Sequence, residues 1–107
     1  MKGEAHVYRP GDSAPLVVRF DAAPPLEFLQ EHITGYIEPV PFFTTYRGRR
    51  CVAFCDEEGK RKGLAFNDMA NRLWASCDVP PPFELVGDVL VGPVVILFGD
   101  SEFMAAL

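Results

Sequence analysis

The stretch CDEEGKRKGLAFNDMANRLWASC, residues 55–77, decides how the rest of the chain is organised. It packs adjacent acids, consecutive basic residues, an Asn-Asp pair and two cysteines into one short run. Asp56 at the start and Gly59 at the end of DEEG are what a four-residue turn favours. CVAFC (51–55) before it is β-prone, and KRKGLAF (60–66) after it reads as a partner strand interrupted by Gly63. A hairpin over 51–66 is the expectation. Asn67 is then a good helix N-cap, with Asp68 at the positive end of the helix dipole. Met69, Leu73 and Cys77 share one stripe with Ala70 and Trp74 beside it, an amphipathic helix. Pro80, Pro81 and Pro82 stop it.

Upstream, EAHVYR (4–9) and LVVRF (16–20) flank a Pro-Gly-Asp loop and read as an opening hairpin. DAAPPLEFLQEHITG (21–35) carries the marks of a helix. Pro24 or Pro25 suits its first turn, Leu26, Leu29 and Ile33 form the buried stripe, and Gly35 ends it. YIEPVPFF (36–43) follows as a strand. Pro39 and Pro41 cannot donate to a ladder, so an edge or a bulge is expected there. Downstream, VGDVLV (86–91) and PVVILF (93–98) are strand candidates around Gly92 and Pro93. The tail DSEFMAAL (100–107) can form a helical turn that gathers Phe103, Met104 and Leu107. The fold class is α+β: a small, mainly antiparallel sheet with two helices, in the order hairpin, helix, hairpin, helix, strand or strands.

A chain of 107 residues is one domain, here read as 1–107 with 99–107 as a loosely attached tail. With 49% apolar and 23% charged residues it has a globular, not a disordered, balance. The longest apolar run is interrupted by Gly87, Asp88, Gly92 and Pro93 and falls short of the roughly 20 residues a bilayer requires. The N-terminus lacks a signal-peptide core. An odd number of cysteines argues against a disulfide framework. A cytoplasmic location without membrane contact is the expectation. The net charge is −5, and it arises entirely after Arg72, where Asp78, Glu84, Asp88, Asp100 and Glu102 meet no Lys or Arg. Nucleic-acid binding, which rests on cationic contacts to phosphate, is disfavoured.

In its order of elements the chain resembles the family called domain of unknown function 3846, small proteins of bacteriophages, plasmids and bacterial genomes. The resemblance runs from about His6 to Val91. It is carried by Leu29 and Gln30, by GYIE (35–38), by DEEG (56–59), by Gly63 and Leu64, by Asn67 and Ala70, and by Gly87, Asp88 and Val89. The segment RGRRCVAFC (47–55) is longer than the family's pattern. The resemblance implies no established activity; it implies an accessory protein of a mobile element.

No constellation of residues points to catalysis. Cys51 and Cys55 on one strand lie about 13 Å apart, too far to share a metal whose sulfur bonds are about 2.3 Å. The three cysteines read as small buried hydrophobes, and His6 and His32 as structural. No metal site and no cofactor is expected. Asp56, Glu57 and Glu58 read as a solvated turn, and the basic residues between Arg47 and Arg72 as charged strand edges. Glycine-rich phosphate loops and nucleophile motifs are absent.

The leading expectation is a non-enzymatic binding protein acting on a protein partner or on itself. Two surfaces suit that role: an exposed edge near Pro39 and Pro41 or on the last strand, and the tail patch of Phe103, Met104 and Leu107. The alternative is a nucleotide- or small-ligand-binding protein whose cleft gathers Asp56, Asn67, Arg72 and Asp88.

Overall fold

The computed structural model describes residues 1–78 and 88–107. Strand β1 (Gly3–Tyr8) pairs antiparallel with β2 (Leu16–Phe20), with Ala5 opposite Val18. This is the opening hairpin expected from the sequence. Helix α1 (Leu26–His32) follows, then β3 (Ile37–Pro39) and the short strands β4 (Thr45–Tyr46) and β5 (Arg49–Arg50). The chain continues through β6 (Val52–Asp56), α2 (Asp68–Ala75), β7 (Val94–Gly99) and α3 (Ser101–Ala105). The main sheet has the order β2-β1-β7-β6-β3, and every described pairing is antiparallel. The fold is a small α+β domain with helices on both faces of that sheet.

Alternation along the strands builds two cores. Tyr8, Ala53, Cys55, Val94, Ile96 and Phe98 point to one face and pack under α2, where Ala70, Trp74 and Cys77 are buried. Ala5, Val7, Val95 and Leu97 point to the other and receive Phe28 and Ile33 from the α1 region and Phe103 from α3. A strand buried on both sides reads as a continuous apolar run, which is what VVILF shows. The last strand is therefore central, between β1 and β6, and cannot be the open edge expected of it.

The expected hairpin over 51–66 does not form. Both sides of β6 are taken, by β3 and β7, and residues 57–63 coil through successive turns. Amides of Gly59 and Lys62 donate to the carbonyls of Asp56 and Glu58, and that of Leu64 to Gly59. The charges of this segment pair with one another, Arg61 with Glu58 and Lys62 with Asp56, which compacts a stretch that strand spacing would extend. Only Phe66 makes a bridge, to Val91.

Other details also differ from the expected pattern. In α1 it is Phe28 that is buried while Leu26 is 60% exposed, because the helix is only two turns long and starts after Pro25. The helix is capped at Ile33, so Gly35 does not end it. Leu90 lies outside any strand, and Val91 makes only an isolated bridge, to Phe66. The triple proline, Val86 and Gly87 lie outside the described residues. Strand β3 is an edge, as Pro39 required. Between β4 and β5, Arg47 and Gly48 both have positive φ (53° and 75°), the backbone a two-residue hairpin turn demands.

Candidate functional site

Asn67 is completely buried. Its side-chain oxygen accepts from the Ala70 amide at 3.1 Å, and its nitrogen donates to the carbonyls of Tyr8 (2.9 Å) and Gly92 (2.8 Å). Both amide hydrogens are thereby committed to backbone, so the residue ties α2 to the ends of β1 and β7 and presents no donor to a ligand. Asp56 is buried too, accepting from Lys62 Nζ at 2.8 Å and from the Glu58 amide at 2.9 Å. Burial pushes its carboxyl up, and these two donors outweigh that, holding it below the usual carboxylate value. Asp88 pairs with Lys60, which lowers its carboxyl in the same way. Arg72 lies on the surface of α2, 3.1 Å from Asp68.

Of the residues expected to bind a ligand, only Asp56 and Asp88 come together. They share a recess of about 60 Å³ with Glu38, Glu57 and Lys60. That is far below the roughly 300–1,000 Å³ of small-molecule sites, and both acids already hold a lysine. The expected tail patch is also dispersed. Phe103 is fully buried against Phe20, Met104 is half-buried, and Leu107 is 39% exposed. Phe103 is thus a core residue that docks α3.

A different arrangement occupies the other end of the sheet. Glu4, His6 and Tyr8 alternate along β1 and face the α2 side. His6 Nε2 is 3.1 Å from Glu4 Oε1, its Nδ1 is 2.7 Å from the Tyr46 hydroxyl, and that hydroxyl is 2.9 Å from the Tyr8 hydroxyl. A carboxylate only accepts, so with a neutral ring Nε2 carries the hydrogen and Tyr46 donates to Nδ1. Tyr8 then donates to Tyr46. Burial drives the Tyr46 phenol well above its ordinary value. His6, Tyr8 and Tyr46 are enclosed, so this chain positions groups and does not itself meet a substrate. Only Glu4 emerges from it, in the wall of a cleft of about 480 Å³.

Sequence spacing hints at part of this, since residues 4, 6 and 8 of a strand share a face. The contribution of Tyr46, from a two-residue strand some forty positions away, has no local signal.

The cysteines are all free and buried. Burial pushes Cys51 and Cys55 up to about 12. Among the described residues no group of three His, Cys, Asp or Glu side chains is placed to hold a metal ion, and no helix is long and apolar enough to cross a membrane.

The sequence pattern of the family described as "Domain of unknown function (DUF3846)" matches residues 1–106. The chain belongs to the DUF3846 family. The match takes in the segment 47–55 and the tail as well as the span read from the sequence. No curated protein and no solved structure matches the chain. Several residues that carry the DUF3846 resemblance here are structural: Asp56 and Gly59 shape the turn, Asn67 caps α2, and Ala70 is buried beneath it. Those four residues of the resemblance serve the fold.

Proposed function

We propose that this DUF3846 chain is a non-enzymatic binding protein that acts on a protein partner through the outer edge of β2. The observation that carries this reading is the exposure of that edge. Strand β2 pairs with β1 on one side, and among the described residues no strand lies on the other. Leu16 and Val17 on it are 46% and 41% exposed.

An uncovered strand rich in β-branched residues presents unpaired backbone groups, which invites addition of a further strand. The opposite edge is poorly suited, since β3 is three residues long and ends in Pro39. Cytoplasmic action in the service of a phage or other mobile element is part of the proposal. Buried free thiols fit a reducing compartment, and the family resemblance supplies the mobile-element setting.

The test uses tagged wild-type protein and a double variant, Leu16→Lys with Val17→Lys, purified side by side from the native host. Lysines on an exposed edge block strand addition without entering the core. Quantitative mass spectrometry is expected to find one protein enriched with the wild type and lost from the variant. Sedimentation of the two proteins alone covers self-pairing, where the variant is expected to remain monomeric. Identical partners and identical mass for both would refute the reading.

A further inference from the structure

The cationic side chains divide into two groups by their ion pairing. Arg9, Lys60, Arg61, Lys62 and Arg72 each hold a carboxylate. Among the described residues Lys2, Arg19, Arg47, Arg49 and Arg50 hold none within ion-pair distance. Three of them, Lys2, Arg19 and Arg49, line the cleft of about 480 Å³.

The cleft is built by register. Arg19 stands opposite Glu4 on β1, and Glu4 stands opposite Phe98 on β7. Arg49 closes the row with its guanidinium over Phe98, its central carbon 4.8 Å from the ring centre. That cation–π contact steadies the guanidinium and leaves its donors free.

The nearby acids match these charges in number, but two of them are engaged with other partners. Asp100 is committed to the Phe103 and Lys2 amides, at 2.9 and 2.8 Å. Glu4 gives one oxygen to His6, at 3.1 Å. Asp21 is the remaining carboxylate of the lining. The lining therefore balances formally, three cations against three carboxylates, but among the described residues its cationic side chains hold no carboxylate within ion-pair distance and keep their donors available.

We infer that this cleft binds a phosphate-bearing small molecule of the mononucleotide class. Arg19, Arg49 and Lys2 receive the phosphate, for which forked guanidinium donors are well matched. The open face of Arg49 stacks a flat base, as guanidinium planes do with unpaired bases. The second oxygen of Glu4, held in place by the buried His6 and Tyr46, accepts from a base amino group. The cleft volume falls in the range of small-ligand sites. The cleft shares Arg19 and Phe20 with β2, whereas the edge reading is tested at Leu16 and Val17, so different substitutions separate the two.

The experiment titrates isotopically labelled full-length protein with inorganic phosphate, the nucleoside monophosphates and a short single-stranded oligonucleotide. Backbone shifts are followed by nuclear magnetic resonance at low and at physiological salt. The expected result is saturable binding of at least one monophosphate, with shifts at Glu4, Arg19, Arg49 and Phe98. Arg19→Gln and Arg49→Gln should each weaken it about tenfold or more. Arg49→Lys should lose most of the affinity despite keeping the charge, because stacking is lost. Arg72→Gln, far from the cleft and already ion-paired in the native protein, should leave it unchanged. Melting curves establish that each variant is folded.

The inference is overturned if no monophosphate perturbs the cleft. It is overturned equally if Arg72→Gln weakens binding as much as Arg49→Gln does. Preferential, steeply salt-dependent binding of the oligonucleotide would assign the surface to nucleic acid and overturn the small-molecule class.

Discussion

The carbonyl oxygen of Tyr8 accepts a hydrogen bond from the Asn67 side chain at 2.9 Å, tying the end of β1 to the residue that caps α2. The same nitrogen reaches Gly92 ahead of β7 at 2.8 Å. One amide thus fastens a helix to two strands of the sheet, and Asp and Ala replacements separate its roles. Asn67→Asp keeps the cap acceptor but turns an oxygen toward two carbonyls that had donors. Asn67→Ala removes everything. A cap alone is worth about 1 kcal/mol, and each buried carbonyl stripped of its donor costs about 1–3 kcal/mol. Asn67→Asp is therefore expected to lose about 2–6 kcal/mol in urea unfolding, and Asn67→Ala about 1 kcal/mol more because the cap goes as well. A near-neutral Asn67→Asp would mean that capping is the whole role.

The buried Asp56–Lys62 pair makes stability depend on pH with a definite sign. The folded carboxyl of Asp56 lies below its ordinary value of 3.8, so between the folded and unfolded values the native state binds fewer protons than the unfolded chain. Its stabilisation is complete above about pH 5 and is lost as the pH falls through the folded value. Asp88 adds to the same window through Lys60. Lys62→Met leaves Asp56 buried with only the Glu58 amide, so acid unfolding is expected to begin at higher pH. At pH 7 the cost is about 1–3 kcal/mol, discounted because Lys62 is 34% exposed. Thermal melts from pH 3 to 8 would show this, and parallel curves for wild type and variant would disprove it.

Gly35 sits directly against that ion pair. A Cβ placed there would meet Lys62 Nζ and both carboxylate oxygens of Asp56, so the pair has no room for any other residue. Gly35→Ala is expected to cost about 1–3 kcal/mol by overpacking. Combined with Lys62→Ala the loss should be clearly less than additive, because the truncated lysine no longer collides. Strict additivity in the double-mutant cycle would count against the contact.

Local relationships are legible in the sequence, and long-range ones much less so. Asn67 reads as a cap because capping acts over three residues, but its bonds to Tyr8 and Gly92 cross the molecule. Prolines 39 and 41 point to an edge because the missing amide is a property of the residue itself. The hairpin expected over 51–66 fails because its strand propensity is real only for 52–56. The neighbours of β6 come from residues 37–39 and 94–99, and periodicity carries no information about which strands pair. The cleft suffers from the same limit. Lys2, Glu4, Arg19, Arg49 and Phe98 are brought together by register across three strands and a separate hairpin.

Phe103 tests whether the tail belongs to the domain. Its ring is fully buried and Asp100 caps the helix that presents it, accepting from its amide at 2.9 Å. Phe103→Ala is expected to destabilise the protein by about 3–5 kcal/mol. Leu107→Ser, on an exposed side chain, should stay within about 0.5 kcal/mol. Equal and small effects from the two would restore the picture of a loosely attached tail.

The thiols give a chemical reading of the same packing. Cys51 and Cys55 are pushed up to about 12 by burial, with Cys77 adding to the first and Glu38 and Asp56 to the second. At pH 8 only about one such thiol in 10,000 is ionised, and the thiolate is the reactive species. Neither side chain is open to solvent. Reaction of these two residues with an aromatic disulfide reagent is therefore expected to be slow in buffer and to accelerate in step with urea unfolding. Mass mapping after a short pulse identifies which cysteine was modified. Prompt modification of Cys51 or Cys55 in the folded protein would show that the core beneath α2 opens far more readily than its packing implies.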